Sequence, residues 1–184
     1  MKWQDQSEVL TLPAPGVLLE RLSPEDGRRL LDLDRALPRV VVAGSCLRSM
    51  REHLATSHEE RGGLLVGRAY HGAQDGEAHI ILAERSVASE VFDSTGVSLR
   101  MESEIWSRTR PLLAAGAMVV GWYHSHPDLG AFFSDTDRAT QRSFFRNPFS
   151  VGIVIDPIRD EMRAFVGADS VRVPEENLIV VDGP

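Results

Sequence analysis

Apolar positions follow two different periods along the chain, and the switch between them predicts its elements. "AMVVGWYHSH" and "SVGIVIDP" read as buried strands by their apolar runs, and "GGLLVGRAY", "AHIILAERSV", "RVVVAG" and "MRAFVGA" read as further strands. "SCLRSMREHLATS" instead sets Leu47, Met50 and Leu54 on one stripe, the spacing of an amphipathic helix. "VSLRMESEIWSRTR" does so with Val97, Met101 and Ile105. "SPEDGRRLLDLDRAL" opens with Ser23 as an N-cap, Pro24 at the first helical position and acids in the first turn, which predicts a helix despite Gly27. The turn-rich "HGAQDGE" separates two strands. Residues 1 to about 22 carry Pro13 and Pro15 and no clean period, so they read as a loosely packed arm or an edge strand.

These elements predict a mixed α/β fold of the α+β type, a single mixed sheet flanked by helices. The last strands read as hairpins rather than βαβ crossovers. Residues 1–38 are expected to form an N-terminal extension with one helix, and residues 39–184 one domain. Neither an internal repeat nor a low-complexity segment interrupts the pattern.

Composition acts mainly by exclusion. A chain of 184 residues can bury one real core. The net charge of -7 argues against nucleic-acid backbone binding as the main task, because such domains carry a basic face. No apolar run reaches membrane-spanning length, and "MKWQDQSEVL" lacks a signal core, so a soluble cytoplasmic protein is expected. Cys46 is the sole cysteine, which excludes an intramolecular disulfide.

The candidate chemistry lies in "GWYHSHPDLGAFFSDTD", residues 121–137. Side chains alternate along an extended segment, so His124 and His126 point the same way and Ser125 the other. Pro127 ends regular pairing there. Two imidazoles on one face at a strand end are half of a zinc site. A catalytic zinc takes three protein ligands and leaves the fourth position to water. Asp137, in the first turn of the helix that Ser134 opens, is the natural third ligand. Ser134 and Asp137 also have the spacing of a capping box, a role compatible with ligation.

Hydrolysis further needs a proton acceptor. In "SHEERGGLLVG", Gly62 and Gly63 prevent a good helix start, and Glu60 stands at the mouth of a buried strand, where an uncompensated carboxylate is costly. Glu59 is the competing choice and reads as a solvated acid. "HEERG" is not the zincin H-E-x-x-H motif, because Gly62 stands where the second histidine belongs.

Glu60-x-x-Gly63-x-Leu65, with His124-Ser125-His126-Pro127 and Ser134-x-x-Asp137, resembles the JAMM (MPN-plus, Mov34/PAD-1-like) zinc metalloproteases over residues 39–167. The resemblance implies a cytidine-deaminase-like fold. It implies cleavage after the C-terminal glycine of ubiquitin or a ubiquitin-like protein, including β-grasp sulfur-carrier proteins, within conjugation or antiphage systems that contain E1-like and E2-like partners. It assigns His124, His126 and Asp137 to one Zn2+, Glu60 to the water, and Ser134 to the developing oxyanion. A second, structural zinc is not expected. His53, His58, His71 and His79 read as surface or turn histidines. A DNA-repair-associated metallohydrolase branch and a non-catalytic MPN scaffold are the competing classes.

For substrate contacts, similar proteins use an insertion at residues 87–96, which makes Phe92 a candidate; a core role is the alternative. Of Phe132 and Phe133, adjacent in an extended segment, only one can point inward, so the other lines the groove or covers the strand end. Trp122 shares the parity of His124 and is expected to pack beneath the site.

Overall fold

Apolar runs with no polar face need cover on both sides. The computed structural model, which describes residues 12–72, 74, 77–89, 103–113 and 116–182, supplies that cover with helices on both faces of one sheet. The helices are α1 (Pro15–Leu19), α2 (Pro24–Asp32), α3 (Gly44–Leu54), α4 (Ser103–Thr109) and α5 (Asp135–Phe144). The strands are β1 (Arg39–Ala43), β2 (Gly62–Tyr70), β3 (Ile80–Ala88), β4 (Met118–Ser125), β5 (Val151–Asp156), β6 (Glu161–Val166), β7 (Val171–Arg172) and β8 (Leu178–Val181). They pair in the order β7-β6-β5-β4-β2-β3-β1-β8. This is the expected mixed sheet flanked by helices. Of the helix expected from Val97, residues before Ser103 lie outside the described residues.

Two expectations are corrected, and one strand is added. β4 and β5 pair in parallel and are joined through α5, so they form a βαβ unit, while β5–β6 and β6–β7 are hairpins as expected of the last strands. "LIVV", unassigned from the sequence, is β8 and pairs in parallel with β1. The segment read as a loose arm is packed where it is described. Pro15 occupies the first turn of α1, where its missing N–H costs nothing. Leu18 is fully buried, and with Leu22 and Leu30 it packs on Val41, Tyr70, Ile80, Leu82 and Ile179.

α3 covers the opposite face. Cys46, Met50 and Leu54 pack there on Val40, Leu65, Val120, Tyr123 and Ile153. A third cluster joins Leu64, Val66, Trp122 and Val154 to Ile105 of α4 and to Phe133 and Phe145, which flank α5. Among the described residues no helix is long and apolar enough to cross a membrane.

A bulge in β4 decides which face carries the chemistry. Leu65 pairs with Gly121, but Val66 pairs with Val119, so β4 holds one extra residue, Val120. Val120 faces the α3 side. Strict alternation from it would send Trp122 and His124 to that side too. The extra residue reverses the parity, and Trp122 instead joins the cluster beside α5. Gly121 makes this possible: a Cβ there would lie 1.7 Å from the Val151 carbonyl oxygen.

Candidate metal centre

β4 delivers His124 at its last turn of pairing, and His126 follows just past its end, its N–H held by the Ile155 carbonyl at 3.1 Å. Trp122 stacks flat on His124, with ring centroids 4.5 Å apart and planes 7° from parallel, which fixes the imidazole plane. Trp122 thus packs beneath the site, as expected. Its indole N–H donates to Gln141 Oε1 at 2.7 Å, and Gln141 Nε2 donates to the Ser150 carbonyl at 3.1 Å. Gln141 therefore ties α5 to β4 and β5. Gly152 leaves the room for it, since a Cβ there would meet Phe133, Trp122 and Gln141 at 2.4, 3.0 and 3.1 Å.

α5 begins at a complete capping box. Ser134 Oγ accepts the Asp137 N–H at 3.2 Å, and Asp137 Oδ2 accepts the Ser134 N–H at 2.7 Å. The cap turns the Asp137 carboxylate back over the strand end. His124 Nε2 and His126 Nε2 lie 3.2 Å apart, Asp137 Oδ1 is 3.1 Å from His124 Nε2, and Asp137 Oδ2 is 3.4 Å from His126 Nε2. All three residues are buried. Ligands held about 2.0–2.1 Å from a tetrahedral zinc stand about 3.3 Å from one another, so the donor set and its spacing both fit that ion. Among the described residues this is the one group of three such side chains whose donor atoms converge, all within 4.8 Å.

Electrostatics point the same way. Burial alone would raise the Asp137 carboxyl, but hydrogen bonds from His124, His126 and Ser134 outweigh it and hold the group well below the usual carboxylate range. Burial would lower the His126 imidazole, yet Asp137 and then Glu60 raise it above its ordinary value. The cluster favours positive charge at its centre, which is what a cation provides.

Glu60 reaches this cluster through Ser125. The Ser125 N–H donates to the Arg61 carbonyl at 2.8 Å, and Ser125 Oγ accepts the Arg61 N–H at 3.0 Å. The residue between the two histidines thus locks the entrance of β2, and Glu60, one residue before Arg61, comes to 3.7 Å from His126 Nε2. Glu59 is exposed, and its N–H bonds to Ser57 Oγ. Ser134 Oγ donates to Asp137 Oδ2 at 2.7 Å and is half-buried beside the ligands.

The two phenylalanines separate. Phe133 is 5% exposed and packed between Trp122 and Phe165, so it is a core residue and not the substrate contact expected as one option. Phe132 is 47% exposed, with its ring centroid 4.9 Å from that of His126. Phe92 lies outside the described residues. His53, expected at the surface, is half-buried in α3, where its Nδ1 meets the Tyr123 hydroxyl at 2.9 Å. Burial, then Arg61 and Arg108, lower its imidazole below the ordinary value.

Sequence reasoning missed the support of the loop between His126 and Ser134. Asp156, fully buried at the end of β5, accepts the N–H groups of Asp128, Gly130, Ile158 and Arg159 at 3.1, 2.7, 2.9 and 3.1 Å. Arg159 Nε also holds Asp128 Oδ1 at 3.1 Å, and the Ala131 N–H donates to Glu161 Oε2 at 3.2 Å. The available signal was an acid ending an apolar strand, followed by a proline.

Comparison with known proteins agrees with this geometry. The family model described as prokaryotic homologs of the JAB domain matches residues 44–166. The 26S proteasome regulatory subunit RPN11 of Candida glabrata is 35% identical over 91 residues, 47% of this chain and 29% of that protein. Ubiquitin carboxyl-terminal hydrolase RPN11 of Saccharomyces cerevisiae is 41% identical over 64 residues, 34% of this chain and 21% of that protein. NAD(+) hydrolase TcpA of a Theionarchaea archaeon is 36% identical over 96 residues, 52% of this chain and 26% of that protein. The chain thus spans less than a third of each of these curated relatives. Among solved structures, protein DSY2949 from Desulfitobacterium hafniense shares the fold, with a TM-score of 0.55 and 22% identity over 77% of this chain and 92% of that one. The match over residues 44–166 makes this protein a member of the prokaryotic JAB-domain family.

Proposed function

We propose that this chain is a zinc-dependent isopeptidase or peptidase that cuts after the C-terminal glycine of a ubiquitin-like protein. The observation that carries the reading is the convergence of two imidazole nitrogens and one carboxylate at 3.1–3.4 Å, with a second carboxylate 3.7 Å away. The name of one relative, a ubiquitin carboxyl-terminal hydrolase, supports the substrate class.

His124, His126 and Asp137 would hold the metal. Zinc there would supply Lewis acidity toward the scissile carbonyl and lower the pKa of water to about 7. Glu60 accepts the proton of the attacking water and returns it to the leaving amine, so the C–N bond breaks with a neutral amine departing. Ser134 turns its hydroxyl from Asp137 to the carbonyl oxygen as that oxygen becomes anionic, a contribution of about 3–4 kcal/mol for one well-aimed donor. Glycine at the cut lets the substrate backbone lie close to the ligands, since it has no side chain to clash. Recognition then comes from the folded modifier, whose remote contacts place the scissile bond.

The test compares two substrates on one enzyme preparation: an intact modifier carrying a C-terminal fusion, and a peptide copying only its last residues and the same junction. The folded modifier is expected to be cut far faster, and a chelator to stop the reaction. Equal rates on both substrates would make the protein a general metallopeptidase.

A further inference from the structure

A cavity of about 250 Å³ lies far from the metal ligands, where α1 and α2 pass over the start of β1 and β3. Leu19, Leu30 and Ile80 give it apolar walls, and Arg35, Arg39 and Glu77 give it a charged patch. Arg39 is 3% exposed. Its Nη2 donates to the Ala78 carbonyl at 3.2 Å and stands 3.7 Å from Glu77 Oε2, while its Nε is buried with no hydrogen-bond partner. Arg35 Nη1 is likewise 3.7 Å from Glu77 Oε1. One carboxylate therefore faces two guanidiniums, and both contacts are longer than a hydrogen bond. Asp34, another acid near Arg39 among the described residues, turns its Oδ1 to the Ala36 N–H at 2.9 Å. Burial depresses the Arg39 guanidinium below its ordinary value, and the attraction of Glu77 does not cancel that effect.

We propose that this cavity binds a small carboxylate with an apolar tail, its head on Arg39 and Arg35 and its tail against Leu19, Leu30 and Ile80. The planar guanidinium fork matches a carboxylate in shape and charge. Inorganic phosphate would satisfy the charge and leave the apolar walls unused. A neutral hydrocarbon would fill the walls and leave the charged patch of Arg39 and Arg35 unused. The volume falls below the range of about 300–1,000 Å³ typical of drug-sized ligands, so the ligand is small.

Octanoate is the probe, titrated calorimetrically into the full chain beside octanol, acetate and inorganic phosphate. Octanoate is expected to bind saturably with one site per chain, and each of the other three about tenfold or more weakly. Arg39→Gln is expected to weaken octanoate about tenfold or more, and Arg35→Gln by a smaller factor, because charge-assisted bonds are lost. Arg35 is exposed enough that its variant folds even where Arg39→Gln does not, its side chain being 45% accessible. His126→Ala should bind octanoate like the parent, which separates this cavity from the metal centre. Absence of saturable octanoate binding, equal binding of octanol, unchanged binding in both arginine variants, or loss in His126→Ala each overturns the proposal.

Discussion

Two buried aspartates, Asp137 and Asp156, stand near the same end of the sheet, and their partners differ in kind. Burial alone would raise both carboxyls, and hydrogen bonds hold both below their usual range. Asp156 is held by four backbone N–H groups of its own turn and the neighbouring loop. Backbone amides have no second chemical task, so that carboxylate is structural, and the loop it organises is the one joining His126 to Ser134. Asp137 has one backbone donor, the Ser134 N–H, and is otherwise held by side chains, two imidazoles and a hydroxyl, that can each release it for another partner. The comparison teaches how to tell a clamp from a site at equal burial: a clamp is satisfied by groups that cannot do anything else. Tyr123, on the other face of β4, is an intermediate case, its hydroxyl shared between the half-buried His53 imidazole and Ser86.

Glu60→Gln should show the largest effect on the site side of this comparison. It removes the proton acceptor and keeps the shape, so the cleavage rate should fall by about 10²–10⁴-fold with metal content unchanged. Glu59→Gln is the control, and steady-state kinetics on both decide the matter. Full activity in Glu60→Gln with loss in Glu59→Gln would reverse the assignment.

Asp156→Asn tests the clamp. An amide puts N–H where backbone N–H already points, so the variant should unfold about 3 kcal/mol more easily in denaturant. The acid limb sharpens the point. Because the folded-state value is depressed, this stabilisation is fully present above the unfolded value of about 3.9 and is lost as pH falls through the folded value. The difference between parent and variant should therefore shrink as pH falls below about 4. A constant difference across that window contradicts the assignment of the carboxylate charge to the clamp.

Tyr123→Phe should have the smallest effect. It leaves His53 Nδ1 without its partner and should cost about 1–2 kcal/mol of stability, read from chemical denaturation. Metal content and cleavage should be unchanged, since Tyr123 faces α3. A variant that keeps its stability but loses activity would mean that the two faces of β4 are coupled.

Local pattern carried much of this molecule. β2 was legible to the residue, because "GGLLVGRAY" is apolar but for Arg68 and bounded by polar residues on both sides. The convergence of His124, His126 and Asp137 was legible because the alternation of the histidines and the Ser134 cap are both local rules. What escaped depends on contacts distant in sequence. β8 is four residues long and is defined by its pairing with β1 at the other end of the chain. α1 is five residues long, too short to establish a period, and its prolines read as breakers. The bulge at Val120 left the relative orientation of the histidines intact while choosing the face they share, a choice only the register with β2 reveals. Asp156 looked like the last residue of a strand because its four donors come from the turn and the loop around it.

The most direct test of the account is metal content, measured by elemental analysis on purified parent and His126→Ala proteins in parallel. The account predicts about one zinc per chain in the parent and close to none in the variant, since losing a ligand should cost more than the 10–100-fold that losing a ligand's outer partner does. Stoichiometric zinc in both samples would contradict it, because the metal would then be held by other residues.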